Sequence, residues 1–254
     1  MCLTLTHRIY IMRIVKVNAT ASTNTYLREF YRNTDLGEEV LLWTDHQYAG
    51  RGQRGASWES QAFKNLTFSV YKRVKGLRLN QQPFIIMAAS LAIYELLETL
   101  QLQRIAVKWP NDILAGNRKL CGILVESIIN NNKLNAVIIG VGLNVNQTHF
   151  KHAPQASSLK LETEKDYDLE FLIQNIKKLF QNYVNRIAKG DFDQIKTDYE
   201  RRLFKKDKAA QFEDPSGIKF TGIIRGVSPT GELIVQQEDD LLYKYRNKEI
   251  RMLY

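Results

Sequence analysis

The 254-residue sequence is poor in the residues that staple, coordinate or embed a chain. Its two cysteines are Cys2 and Cys121, the second inside an apolar run; this excludes a disulfide framework and fits a reducing cytoplasm. Of its four histidines, His149 and His152 have the spacing of helical metal ligands, but no cysteine, carboxylate or third histidine clusters with them, so they do not read as a zinc site. No apolar run approaches the ~20 residues that span a bilayer. The mildly apolar residues 1–12 lack a charged n-region and a small-residue cleavage site, so no signal peptide is expected, and Met12 offers a second start. There is no internal repeat and no low-complexity tract.

What is present is ordinary for a soluble globular protein: 44% hydrophobic and 25% charged residues, in a length that accommodates one large domain or two. The net charge of +9 points to polyanionic ligands, either nucleic acid or a nucleotide together with an acidic protein partner. Part of the excess sits between Arg201 and Lys208, which reads as a solvated helix end.

Residues 13–17 alternate as a strand does, and Ser22, Thr23 and Asn24 supply N-cap candidates for a helix through Tyr26, Leu27 and Phe30. Strands are expected at 39–43, 65–71, 105–109, 122–129 and 134–140, with turns at Asn117 or Asn130–Asn132. Pro83 opens a buried helix that runs to Leu100. After a polar connector over 149–168, an amphipathic helix runs from Leu169 to near Gly190 and a shorter one to Phe204. From Ala209 the texture becomes short β pieces broken by Asp214–Gly217 and Ser228–Gly231, as in a small barrel. This places a domain boundary near Lys206.

Gly50-Arg51-Gly52-Gln53-Arg54-Gly55 packs three glycines and two arginines into six residues. Bare backbone can approach an anion there while the guanidiniums neutralise it. Gly140-Val141-Gly142 lacks the third glycine of a dinucleotide fingerprint and reads instead as a strand end near a ligand. In order, Ser22-Thr23-Asn24, Gly50 to Trp58, Lys108-Trp109-Pro110-Asn111-Asp112, Lys119 to Leu124 and Gly140 to Asn146 resemble the motifs of biotin protein ligases.

The resemblance implies an α/β catalytic domain over residues 1–206, with a mixed sheet similar to class II synthetases, and an SH3-like β-barrel over 207–254. It also implies that biotin and ATP form biotinyl-5′-AMP, whose biotinyl group passes to a lysine of a biotin carboxyl carrier protein. Carried over by position, Ser22, Thr23 and Gln47 would hydrogen-bond the ureido ring of biotin, with Asn24 closing that biotin-binding motif. Gly50, Arg51, Gly52 and Gln53 would close over biotin, with Lys119 and Gly122 beside its carboxylate. Arg51, Arg54, Trp58, Asn111, Lys119 and Asn144 would serve ATP and the adenylate, with Lys119, Arg51 and Asp112 as the catalytic set. Magnesium would ride on the ATP phosphates and need no protein cage.

The sequence departs from the family pattern at Gln53 and Ala56, where many relatives carry arginine. Only 21 residues precede Ser22, too few for the winged helix of relatives that also repress transcription, so no DNA binding and no membrane role are expected. A homodimer through the catalytic sheet, as in some relatives, is left open. The rivals are a lipoate ligase of the same superfamily and a non-enzymatic nucleic-acid module.

Overall fold

The computed structural model describes residues 12–33, 39–74, 76–131 and 133–254, with the backbone alone at Asn33 and Arg54. Cys2, the rest of residues 1–11 and the turn position Asn132 lie outside the described residues.

Strand β1 (Arg13–Thr20) leads through helix α1 (Thr23–Asn33) to β2 (Val40–Gln47), and the two strands pair in parallel. A short ribbon of β3 (Gly50–Arg51) and β4 (Ser57–Trp58) carries the glycine-rich loop. Then come β5 (Leu66–Arg73) and helix α2 (Pro83–Thr99). A meander follows of β6 (Ile105–Lys108), β7 (Asp112–Ala115), β8 (Arg118–Asn130) and β9 (Lys133–Leu143). The resulting seven-stranded mixed sheet has the order β1-β2-β5-β9-β8-β7-β6.

One face of this sheet is covered by α2, which packs on α4 (Leu169–Ala188) and α5 (Phe192–Arg201). Helix α2 has proline in its first turn and buries most of its circumference, so it belongs to the core rather than the surface. Asp168 caps α4, its carboxylate accepting from the N–H groups of Glu170 and Phe171. On the other face α1 covers a smaller cluster of Leu27, Val40, Leu42, Tyr71, Ala136 and Ile138.

A second, antiparallel sheet is built from β10 (Ala209–Glu213), β11 (Lys219–Val227), β12 (Leu233–Gln236), β13 (Leu242–Tyr245) and β14 (Arg251–Leu253). Its order is β13-β12-β11-β10-β14. Strands β13 and β14 are the edges of this ladder, which does not close into a hydrogen-bonded ring among the described residues. Phe212, Ile224, Val227 and Val235 belong to the same apolar core as α2, and β11 of the small sheet packs against α5.

Four features depart from the sequence reading. Strand β7 and a short helix α3 (Leu159–Thr163) occupy segments expected to be irregular, and β8 begins at Arg118 rather than Gly122. The basic run after α5 is more than a solvated helix end: Leu203 is buried. Val107 N–H donates to Arg202 O at 2.7 Å and Phe204 N–H to Val107 O at 2.8 Å, stitching the run to the edge of β6. Backbone hydrogen bonding of an otherwise open edge strand outweighs local charge here.

Candidate active site

Period-2 alternation gives the two faces of the central strands opposite characters. Leu66, Phe68 and Val70 of β5 and Val137, Ile139 and Val141 of β9 enter the core under α2. Their neighbours Thr67, Ser69, Gly140 and Gly142 pair across the same strands and face the other way. A cleft of about 220 Å³ opens on this second face.

Glycines at the sheet surface make room for what lies above them. A Cβ on Gly142 would stand 2.6 Å from Trp58 Cζ2, and one on Gly122 3.1 Å from Trp58 Cζ3 and 3.2 Å from Lys119 Nζ. Gly122 and Gly142 are partners across β8 and β9, so together they form a flat bed for the Trp58 indole. The indole Nε1 is buried and has no hydrogen-bond partner among the described residues. A Cβ on Gly140 would overlap Asn24 Oδ1, and one on Gly50 would lie 2.8 Å from Gln47 Nε2.

Lys119 is aimed by a bulge. Asp112 pairs with Gly122 and Ile113 with Cys121, but Leu114 pairs with Lys119, so Leu120 is the extra residue. Leu120 and Cys121 consequently both enter the core, which strict alternation forbids, and Lys119 turns to the side of Gly122 and Asp112. Its Nζ lies 2.6 Å from Asp112 Oδ1 and 5.5 Å from the centre of the Trp58 ring. Burial pushes the Cys121 thiol well up, so it serves as a small apolar filler beside this pair.

Asp112 follows a braced turn. The Trp109–Pro110 bond is cis. Tyr199 OH of α5 donates to Pro110 O at 3.0 Å, and Trp109 Nε1 donates to Gly231 O of the small sheet at 2.9 Å. Asn111 Nδ2 donates to Ile123 O at 2.6 Å, so its amide ties the turn to β8 while the residue borders the cleft.

At the start of α1, Ser22, Thr23 and Asn24 are all buried and all border the cleft. Gln47 Oε1 accepts from Thr23 N–H at 2.9 Å and lies 3.2 Å from Thr23 Oγ1. Ser69 and Glu126, neither singled out by motif, complete this corner: Ser69 contacts Thr23 and Asn24, and Asn24 Nδ2 donates to Glu126 Oε2 at 2.8 Å. Their signal in the sequence is only a polar residue at an alternate position of an apolar strand.

The glycine-rich loop forms the upper wall. Gly52 N–H donates to Ala56 O at 2.6 Å, Arg51 NH2 donates to Thr25 Oγ1, and Asn247 Nδ2, between β13 and β14, donates to Gln53 Oε1. Arg54 lies in the one-turn helix 53–55, and only its backbone is described. Asn144 does not border the cleft. It is buried behind Lys119, with Nδ2 donating to Ser157 O at 2.9 Å. The arrangement therefore joins a corner of amide and hydroxyl groups to a cationic end at Lys119 and Arg51, bridged by an aromatic plane.

Among the described residues no group of three or more His, Cys, Asp or Glu is placed to hold a metal, and Asp112 is the single carboxylate on the cleft wall. Such a wall suits an ion that takes one or two protein carboxylates and binds chiefly to substrate phosphates. No helix among the described residues is long and apolar enough to cross a membrane.

The chain is 29% identical over 221 residues to the biotin–[acetyl-CoA-carboxylase] ligase of Mycobacterium tuberculosis, a match covering 85% of this chain and 80% of that protein. It is 27% identical over 213 residues to the bifunctional ligase/repressor BirA of Bacillus spizizenii, covering 82% of this chain and 65% of that protein, so it spans under two-thirds of that relative's length. Its fold matches the biotin protein ligase of Aquifex aeolicus in complex with biotin and ATP, with a TM-score of 0.78 at 24% identity, over 95% of this chain and 98% of that one. The mixed sheet followed by a small β unit, expected from the motifs, is thus the architecture of solved biotin ligases. The model of the biotin/lipoate A/B protein ligase family matches residues 17–144, half of the chain and every residue that borders the cleft, and the chain belongs to that family.

Proposed function

We propose that the protein is an ATP-dependent biotin protein ligase that makes biotinyl-5′-AMP and transfers the biotinyl group to a lysine of a biotin carboxyl carrier protein. The observation that carries this reading is the union, in one cleft, of the Thr23–Gln47 polar corner with the Lys119 ammonium. A site for activating a carboxylic acid needs recognition at one end and fixed positive charge at the other.

Ser22, Thr23 and Gln47 hold the ureido ring, and Asn24 closes the corner beneath them. A dithiolane ring, which has no N–H or carbonyl, would leave these buried polar groups unpaired, and this favours biotin over lipoate. In the first step a biotin carboxylate oxygen attacks the α-phosphorus of ATP and pyrophosphate leaves. Lys119, with Arg51 and Arg54 of the loop, offsets the negative charge that gathers there, and Trp58 lies against the adenine. Magnesium bound to the phosphates would neutralise part of the same charge, with Asp112 the nearest protein carboxylate. Gly50, Gly52 and Gln53 close the cleft against water, which would hydrolyse the mixed anhydride.

In the second step the acceptor's ε-amine attacks the acyl carbon and AMP leaves with the bonding pair. An ammonium is not a nucleophile, and Asp112 accepts its proton. Asn111 seats Asp112. Asn144 supports Lys119 from behind and acts on the adenylate through it. Residues 1–206 form the catalytic domain and 207–254 the SH3-like unit. The enzyme works in the cytoplasm on the biotin-accepting domain of a carboxylase.

Incubation with α-labelled ATP, magnesium and either biotin or lipoate tests this reading. Labelled adenylate that requires biotin and disappears in Lys119→Ala is the expected result. Lipoate-dependent product would move the protein to the sister activity, and no product with either acid would end the ligase reading.

A further inference from the structure

Beneath the cleft runs a chain of polar contacts that the two chemical steps do not use. Glu126 of β8 accepts from Asn24 Nδ2 at 2.8 Å through Oε2 and pairs with Arg28 at 3.0 Å through Oε1. A carboxylate only accepts, so the Asn24 amide must turn its nitrogen to Glu126 and its oxygen away. That oxygen lies 2.5 Å from Ser69 Oγ and can itself only accept, so it takes the one proton Ser69 has.

Thr23 Oγ1 is 2.7 Å from Ser69 Oγ and 3.2 Å from Gln47 Oε1. With the Ser69 proton committed, the shorter contact is made by the Thr23 hydroxyl donating to Ser69. Gln47 Oε1 still accepts from the Thr23 backbone N–H at 2.9 Å, which leaves Gln47 Nε2 as the group offered elsewhere. Thr23 and Gln47 both border the cleft. Every proton in the chain points toward Glu126, so the cleft meets lone pairs at Thr23 and N–H groups at Gln47. Asn24 cannot swing out of this chain, because it is 4% exposed and packs where a Cβ on Gly140 would be.

We infer that Glu126, held by Arg28, is a positioning residue that sets the direction of the chain Thr23–Ser69–Asn24–Glu126, and thereby makes the cleft select a ring that donates an N–H to Thr23 and accepts at its carbonyl from Gln47. This deepens the biotin reading and rests on it. Directional chains of this kind discriminate because a ligand with an acceptor in place of the N–H meets lone pair with lone pair.

The test is calorimetric titration of the full chain and of Glu126→Gln with biotin and with the two cyclic carbamates in which one ring N–H is replaced by oxygen. The unaltered protein is expected to prefer biotin to one carbamate by about 100-fold or more. Glutamine can accept or donate, which lets the Asn24 amide turn over, so this preference falls by about tenfold or more in Glu126→Gln while the affinity for ATP and the Tm hold. Ser69→Ala, which cuts the chain without touching the ion pair, lowers the preference in the same direction and serves if Glu126→Gln fails to fold. An unchanged preference, whether overall affinity weakens or not, reduces Glu126 to a scaffold and overturns the inference alone. Absence of biotin binding by the unaltered protein overturns the ligase reading with it.

Discussion

The two faces of β5 and β9 alternate along the same two strands, yet one is a core and the other the floor of a cleft. Leu66, Phe68, Val70, Val137, Ile139 and Val141 enter the core under α2, whereas Ser69, Gly140 and Gly142 meet the start of α1 and the Trp58 indole. Because side chains alternate across a strand, stability and recognition are specified by interleaved residues that cannot exchange roles without a register slip. The core face tolerates apolar repacking. The cleft face demands either the absence of a side chain or a polar atom with a defined partner.

The largest effect that would sharpen this contrast is on the core side. Phe68 is fully buried and packs edge-on against Phe180 with ring centres 5.6 Å apart. Phe68→Ala is expected to cost about 3–5 kcal/mol of stability by chemical denaturation, with biotin affinity near normal in the fraction that stays folded. On the cleft side, Lys119→Ala is expected to slow adenylation by about 10²–10³-fold in single-turnover assays, with little loss in Tm, because its partner Asp112 is partly solvated.

Gly142→Ala comes next. Its methyl group would displace the Trp58 indole, and the KM for ATP should rise about tenfold with biotin affinity less affected. If the two substrates weakened equally, Trp58 would be a general wall rather than a nucleotide platform. The smallest effect is expected at Asn247→Ala, which removes a side-chain hydrogen bond between the glycine-rich loop and the small sheet. Adenylate should leave about threefold to tenfold faster, by no more than one ordinary hydrogen bond is worth. A release rate equal to that of the unaltered protein would show that Gln53 needs no help from the second sheet.

Much of the scaffold was legible in the sequence. Alternation marked β1, strand-forming residues marked β2 and β5, Pro83 marked the start of α2, and amphipathic apolar spacing after Asp168 marked α4. Strand β7 escaped because four residues behind a proline turn are too few to show a period. The bulge at Leu120 escaped because two successive apolar residues look like any buried strand until the partner strand counts them. Twelve of the fifteen residues expected around the ligand border the cleft; Gly50 and Asn144 do not, and the Arg54 side chain lies outside the described residues. Gly50 sits just behind it in the β3–β4 ribbon, and Asn144 lies under Lys119.

The sequence by itself determined the order of most of the elements, the family and most of the residues that border the cleft, because periodicity, turn chemistry and motif spacing are all local properties. Only the tertiary structure decided that Glu126, Ser69 and Asn24 form one directional chain, that Lys119 faces Asp112 rather than the core, and that Asn247 reaches Gln53 across 194 positions. Hydrogen-bond direction and side-chain facing depend on which groups are brought within 3 Å or so of one another, and segments distant in the chain meet at that range only after the sheets have packed.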